Sequence, residues 1–517
     1  MRTTLFIATL LLSCSLLGQD GWNRADKRAY DEADFAFYQG DLSFARETFG
    51  DLASRHVSYP PLDLRLGVCL LDIDQLPDTA STLIEKAMRA GESEAIYHLG
   101  RARHRQNRFD EAITLFTRYN QLEDKEMADE EVDRQIAICQ VGKTRVANPV
   151  DIKITNIGPN VNSEHKEYIP VLPFSGEEMY FTSRRPSSTA RLKDANGEYF
   201  EDIYRTKKTD EGWAAAENIG LPVNSETHDA TVAISGDGNT MILYRTNDNL
   251  TGGDLYITTR RNDKWANPKK LGKQINSQHQ EPSACLSEDG KMMIFSSNRP
   301  GGYGGKDLYR VKQLPNGEWS QPKNLGPVIN SAYDEDAPFL GFDGHTLYFA
   351  STGHSTMGGY DLFMSTLVEA ETWSVPENLG YPLNTVNDDI YLSVNPNAKK
   401  GYYSGVKSQG FGQLDIYEVE FTYRKNTEMV IKGDVMKPDG TPMSAKITLL
   451  DKNEREVQGV YNTNPRTGKF IMVINPLTLY KVFIEANGYR TQQDEIYFVF
   501  PDGDDIEFQI APYILTK

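Results

Sequence analysis

Small and large apolar positions recur at helical spacing between Ala33 and Val146. Ala33, Gly67 and Gly100 stand 34 and 33 residues apart. Twelve residues beyond each come Ala45, Thr79 and Ala112, and four further on Phe49, Leu83 and Phe116. This spacing predicts helix pairs, with small residues where the two helices meet and a large apolar residue locking each pair. The second copy is degenerate, with Pro77 near its turn. A last amphipathic segment, "MADEEVDRQIAICQVGK", is expected to cover the open apolar end of the array.

From Asp151 to about Tyr423 the pattern shortens to strands. Five units open on Asn followed by Ser or Thr, at Asn162, Asn224, Asn276, Asn330 and Asn384. Each continues with an apolar strand and a turn, as in "SGDGN", "SEDGK" and "GFDGH", then an aromatic strand such as "MYFTS", "MMIFSS" or "LYFAS". After a Gly-rich turn comes an Asp-Leu/Ile-aromatic strand, and after another turn a Trp strand. Trp213, Trp265, Trp319 and Trp373 lie 52, 54 and 54 residues apart and are expected to pack between neighbouring units. Four short strands per unit, joined by residues that tolerate positive φ, predict a β-propeller, which hides its sheet edges by radial closure. A Gly stands four residues before every opening Asn, at Gly158, Gly220, Gly272, Gly326 and Gly380. Gly158 ends "VDIKITNIG", ahead of the first unit, whereas the fifth unit lacks a Trp strand. The front segment therefore supplies the missing outer strand and closes five blades; six blades would need a unit that the sequence does not show.

From about Asn426 the repeat stops. "IKGDVMKPDGTPMSAKITLLD", "NPRTGKFIMVI" and "LYKVFIEANGYRTQ" alternate apolar and polar residues between turns, as in a small antiparallel β-sandwich. The expected class is multidomain, α plus all-β. A helical-repeat solenoid spans 19–146, a five-bladed propeller 147–424 and a β-sandwich 425–517.

The N-terminus changes the picture of where this chain works. Arg2 followed by an apolar run to Gly18 has the layout of a secretory signal peptide, 1–18, too short to span a bilayer. Two processing readings stay open. "LLSC" would make Cys14 a lipidated N-terminus, whereas the continuing apolar "SLLG" favours cleavage after Gly18. Cys69, Cys139 and Cys285 are too widely spaced for a disulfide framework or a metal site and are expected to be buried small hydrophobes. With 55 Lys and Arg against 73 Asp and Glu, the net charge of −18 argues against nucleic acid and anionic membrane surfaces as partners.

No catalytic constellation stands out: G-x-S-x-G, H-E-x-x-H and the P-loop are absent. "GGYGGKD" (301–307) lacks the P-loop gap and recurs in neighbouring units as a hairpin turn, and "DGDD" (502–505) lacks the EF-hand ligand pattern. Neither a cofactor nor a metal is expected, and the chain is read as not an enzyme. One pattern carries chemistry. A carboxylate follows each opening Asn by five residues: Glu167, Asp229, Glu281, Glu335 and Asp389. His165, His228, His279 and Tyr333 shortly precede four of them. First strands line a propeller channel, so these acids are a candidate ring for a cation, a small ligand or a basic peptide. Their recurrence in every unit favours instead a role in holding each blade. The recurring Asp202, Asp254, Asp307, Asp361 and Asp415 are read as turn caps beside Gly.

The helical spacing resembles the tetratricopeptide repeat. The central units resemble TolB-type, WD-like propeller repeats, and "GDVMKPDGTPMSAKITLLD", "TGKF" and "GYR" resemble the carboxypeptidase-regulatory-like, transthyretin-shaped domain. In this order the three resemble the PorE-type proteins of the Bacteroidota type IX secretion and gliding machinery. The resemblance implies an interaction scaffold of the periplasm or the periplasmic face of the outer membrane. Its partners would be other envelope proteins, secretion-machinery components among them. Proteins of that type commonly continue into an OmpA-like domain, whereas this chain ends in "DIEFQIAPYILTK", so direct peptidoglycan binding is not expected.

Overall fold

A computed structural model describes residues 22–517 except 57–58, 74, 187–188, 195–196, 370, 397, 408–409, 423–428, 452–456, 475–478 and 498–506. The signal-peptide reading, Cys14, the 424/425 boundary and the "DGDD" turn lie outside the described residues. The chain divides into two units at Asn148 and Pro149.

Among the described residues the first unit holds seven helices: α1 (Arg24–Tyr38), α2 (Leu42–Arg55), α3 (Pro60–Asp72), α4 (Pro77–Arg89), α5 (Ala95–Arg105), α6 (Phe109–Asn120) and α7 (Asp129–Ala147). Local chemistry sets their starts. Asn23 and Asp41 accept the N–H groups of Asp26 and Phe44, and Pro60 and Pro77 open α3 and α4, where a missing N–H costs nothing. Ala33, Ala45 and Phe49 are fully buried, as are Ala112 and Phe116. Gly67 and Gly100 are required by close approach. A Cβ on Gly67 would lie 2.6 Å from Ile84, and one on Gly100 would lie 2.7 Å from Phe116.

The second pair departs from the expected register. Ala80 and Ile84 are fully buried, while Thr79 is exposed and Leu83 only partly buried. The turn between α3 and α4, with Gln75 at φ 51°, runs one residue longer than those between α1 and α2 or α5 and α6, and this displaces the locking residues by one. At the far end α7 covers the third pair. Gly142 faces Phe109, where a Cβ would lie 2.6 Å from the ring. Among the described residues, no helix is long and apolar enough to cross a membrane.

In the second unit, residues 152–421 form five sheets of four or five strands. The first strands are Glu167–Val171, Asp229–Ile234, Ala284–Leu286, Glu335–Leu340 and Ile390–Val394. They pack successively against one another, the fifth also against the first, so the sheets form a closed ring. Closure occurs where the sequence pattern places it. Ile152–Asn156 pairs antiparallel with Asp415–Phe421, and Asn156 donates to Asp415 at 2.8 Å. Among the described residues there is no sixth sheet in this ring.

The outer Trp segments pack on the preceding sheet, though unequally. Trp213 meets Tyr402 of sheet 5 edge-on at 5.7 Å, and Trp265 meets Tyr180 of sheet 1 at 5.9 Å. Trp213 and Trp373 are buried, at 8% and 7% exposure, whereas Trp265 and Trp319 are only partly covered.

Beyond the ring, two sheets share one apolar core that includes Ile431, Val435, Ile447, Met472, Val482 and Ile484. Their pairing is not wholly antiparallel. Glu507–Gln509 and Tyr513–Ile514 run parallel to Met429–Met436, because the chain returns from the other sheet to the free edge of that strand. Phe174 and Phe342 from ring turns pack with Val430 and Ile471.

Candidate functional site

Glu167, Asp229 and Glu335 begin the first strands of their sheets, Asp389 directly precedes its strand and Glu281 lies three residues ahead of Ala284–Leu286, and each is nearly or fully buried. Each is committed to its own unit. Glu167 accepts the backbone N–H and hydroxyl of Ser163, both at 2.7 Å, and the hydroxyl of Ser183 at 2.6 Å. Ser225 does the same for Asp229, Ser277 with Ser297 for Glu281, Ser331 with Ser351 for Glu335, and Thr385 for Asp389.

A basic side chain stands near each acid. Arg185, Arg245 and Arg299 reach the acid at 3.1, 2.6 and 3.1 Å and donate to the carbonyls of Val161, Val223 and Ile275. In sheet 4, His354 donates to Ile329 O at 2.9 Å and lies 3.9 Å from Glu335. In sheet 5, Lys407 donates to Pro382 O at 3.2 Å. These five basic side chains were missed in the sequence because three residue types fill one structural role. Their signal is a basic residue at or just beyond the end of each second strand.

A second repeated latch joins consecutive sheets. Asn224 exchanges two hydrogen bonds with the backbone of Ile203, and its amide also donates to Asn218, which in turn donates to Asp202. The same triad recurs as Asn330, Asn324 and Asp307, as Asn384, Asn378 and Asp361, and across the closure as Asn162, Asn156 and Asp415. In sheet 2, Lys270 replaces the middle Asn and reaches Asp254 at 2.6 Å. Asp202, Asp307, Asp361 and Asp415 thus cap turns as expected, Asp307 taking the N–H groups of Tyr303 and Gly304, and also anchor the outer segment.

Burial sets the acid–base behaviour of the latches. It pushes Glu335 up to about 7 although Ser331 and Ser351 hydrogen-bond it, and Asp389 up to about 7 against the pull of Lys407. Asp361 rises to about 8, through burial and the nearby Asp389, despite Met357 N–H and Asn378. One oxygen of Asp361 and one of Asp389 has no hydrogen-bond partner, so a buried charge there is only partly compensated. A carboxyl whose pKa is raised on folding contributes stability that is complete below the unfolded value, about 4, and lost as pH rises through the folded value. Between about pH 5 and 7 the folded ring therefore holds protons that the unfolded chain has released, each worth about 1.4 kcal/mol per pH unit, and the loss levels off above about pH 8. The thermal midpoint of the ring, read by Trp emission, is expected to fall over that window, and Asp361→Asn to flatten the fall. A midpoint rising with pH, or an unchanged slope in Asp361→Asn, would contradict this assignment.

The channel itself is narrow. Residues of all five sheets, Ile169, Val232, Ser283, Phe339 and Tyr391 among them, line a cavity of about 30 Å³, room for about two waters. Hydroxyls staple its walls: Thr231 donates to Ile169 O, and Ser283 accepts from Ala337 N–H. Beside the channel the fivefold pattern breaks. The connection between the second and third strands of sheet 1, residues 184–201, is twice the length of its counterparts 298–306, 352–360 and 406–414. Arg184 donates to Asp194, Glu198 and Glu201 at 2.7, 2.6 and 2.9 Å. Glu201 also accepts from the hydroxyl of Tyr168, whose ring lies 6.3 Å from that of Tyr391 on the channel wall. Burial would raise the Glu201 carboxyl, but His228, Arg184 and Tyr168 outweigh it and hold it down to about 2. The length of this connection was legible in the sequence; its ion pairing was not.

No family model matches the chain, and no curated protein matches it. Among solved structures it is similar to TolB from Acinetobacter baumannii, at 15% identity over 56% of this chain and 70% of that one, with a TM-score of 0.33. It is similar to an alpha-L-arabinofuranosidase from Lactobacillus brevis, at 12% identity over 56% and 95%, TM-score 0.33. It is also similar to the Sgt2 TPR domain from Aspergillus fumigatus, at 14% identity over 25% and 84%, TM-score 0.21. At these identities and TM-scores, the likenesses decide neither an activity nor a partner.

Proposed function

We propose that this chain is a non-enzymatic protein-interaction scaffold, exported to the periplasm or the periplasmic face of the outer membrane. In this reading α1–α7 are tetratricopeptide-like repeats, the ring is a five-bladed β-propeller, and the C-terminal sheets are a transthyretin-like sandwich. The order of these modules, with the signal-peptide layout, is the basis for placing it with type IX secretion or gliding machinery. The repeated acids are consumed in latches, and a channel cavity of about 30 Å³ leaves little room for a basic peptide, which favours a scaffold over capture in the channel.

The observation that carries the reading is on α1. Phe35 is 68% exposed and Tyr38 49%, and they follow Asp31 at helical spacing on one face. Beside them Arg65 donates to Asp34 at 2.9 Å and lies 4.8 Å from the Tyr38 ring centroid. Exposed aromatics beside a held Arg are the residue types that anchor protein interfaces, where truncating one costs about 2 kcal/mol or more. Phe35→Ala is therefore expected to lower recovery of the native envelope partners at least about tenfold while leaving the thermal midpoint in place. Equal recovery of the same partners by the variant and the parent chain would remove α1 from the interface.

A further inference from the structure

The long connection 184–201 borders a cavity of about 160 Å³ lined by Glu164, His165, Lys166, Arg184, Glu198 and Gln413. Gln413 reaches it from the loop before the third strand of sheet 5, so the cavity lies at the seam where the ring closes. The repeat does not require these residues. Thr246, Asn298, Thr352 and Val406 stand where sheet 1 has Arg184, and no other sheet pairs a His-Lys dipeptide with its acid.

The cations on the wall are already matched. Glu198 takes Arg184 at 2.6 Å and Lys166 at 2.7 Å, and the rest of the Arg184 guanidinium is held by Asp194 and Glu201. A cation entering the cavity would meet Lys166 and Arg184, and an anion would meet Glu198 and Glu164. Either would have to compete with pairs that are already made. Glu164 is exposed to water, and the buried group that remains unmet is neutral. His165 Nε2 is buried and makes no hydrogen bond; the Glu164 carboxylate is 3.7 Å away, beyond hydrogen-bond reach. The Gln413 amide at the rim offers both a donor and an acceptor.

We propose that this cavity binds a neutral, hydroxyl-rich ligand the size of one monosaccharide, as at the end of a glycan. A hydroxyl both donates and accepts, so a ring of hydroxyls can serve carboxylate oxygens, an amide and an imidazole nitrogen without bringing charge. At about 160 Å³ the cavity is close in size to one of about 150 Å³ that takes up a single six-membered ring.

The test titrates the full chain separately with D-glucose, D-galactose and N-acetyl-D-glucosamine, with acetate and methylammonium as charged controls. Saturable binding of at least one sugar is expected, with a Kd on the order of 1–10 mM. Gln413→Ala and His165→Ala should each weaken it at least about tenfold. Gln413 is exposed and makes no latch, so its variant keeps the test open if His165→Ala disturbs the loop. Failure of all three sugars to bind, undiminished binding in the Gln413 variant, or equal binding of acetate or methylammonium would each overturn the proposal. Partner recovery by Phe35→Ala decides the scaffold reading separately.

Discussion

Removal of residues 151–158 is expected to open the ring. The deletion takes away the strand that pairs Ile152 to Asn156 with Phe421 to Tyr417, and it uncovers Tyr417, Val419 and Phe421, all at most 4% exposed. It also removes the hydrogen bonds that Asn156 makes to Asp415 and Asn162, each 2.8 Å. Lost apolar burial and several orphaned buried polar groups together amount to at least about 5 kcal/mol. Net domain stability is typically only about 5–15 kcal/mol, so a change of this size is expected to leave an aggregating or protease-sensitive ring with an unpaired sheet edge. Size-exclusion chromatography and limited proteolysis read the outcome. A deletion variant that stays monomeric, with a Trp-emission midpoint within about 2 °C of the parent, would show that the closure contributes little.

Truncating the Trp residues should cost unequal amounts, in the order of their burial. Trp213 packs with Tyr402 and Ile416 of sheet 5, and Trp373 with Cys285 and Ile294 of sheet 3, so each fills space between two sheets. Trp213→Ala and Trp373→Ala are each expected to cost about 3–5 kcal/mol through the cavity left behind. Trp265 is only partly covered and lies under Arg260, whose guanidinium carbon is 5.5 Å from the ring centroid. Trp265→Ala is expected to cost about 1–2 kcal/mol, from lost contact and the cation–π pair without a sealed cavity. Denaturant midpoints of the four single variants check this order. Equal costs at all four positions, or less than about 1 kcal/mol at Trp213, would mean that burial between sheets is not what the period preserves.

The helical array shows how far spacing carries. Two of the three pairs put their small and locking residues where the period places them, because Ala33, Ala45 and Phe49, like Gly100, Ala112 and Phe116, are set by helix geometry alone. The second pair slipped by one residue because a longer turn shifts the register of α4 without altering the polarity of its sequence, so Ala80 and Ile84 take the places expected of Thr79 and Leu83. The recurring acids were legible as positions but not as partners. A period marks where each carboxylate stands, while the basic side chain near it varies among Arg, His and Lys and is recognised only by its reach.

By itself the sequence determined the five units, the strand that closes them and the turn chemistry of each. These depend on local geometry repeated along the chain: Gly where φ must be positive, Asp beside it, and alternating apolar residues between. Only the tertiary structure decided which Trp residues are sealed between sheets, which side chains stand beside the buried acids, and that a long connection at the seam borders a cavity. Those outcomes depend on groups far apart in sequence meeting in space. Residues of one type, such as the four ring Trp, then occupy unequal environments, and residues of different types, such as Arg185, His354 and Lys407, come to occupy the same one.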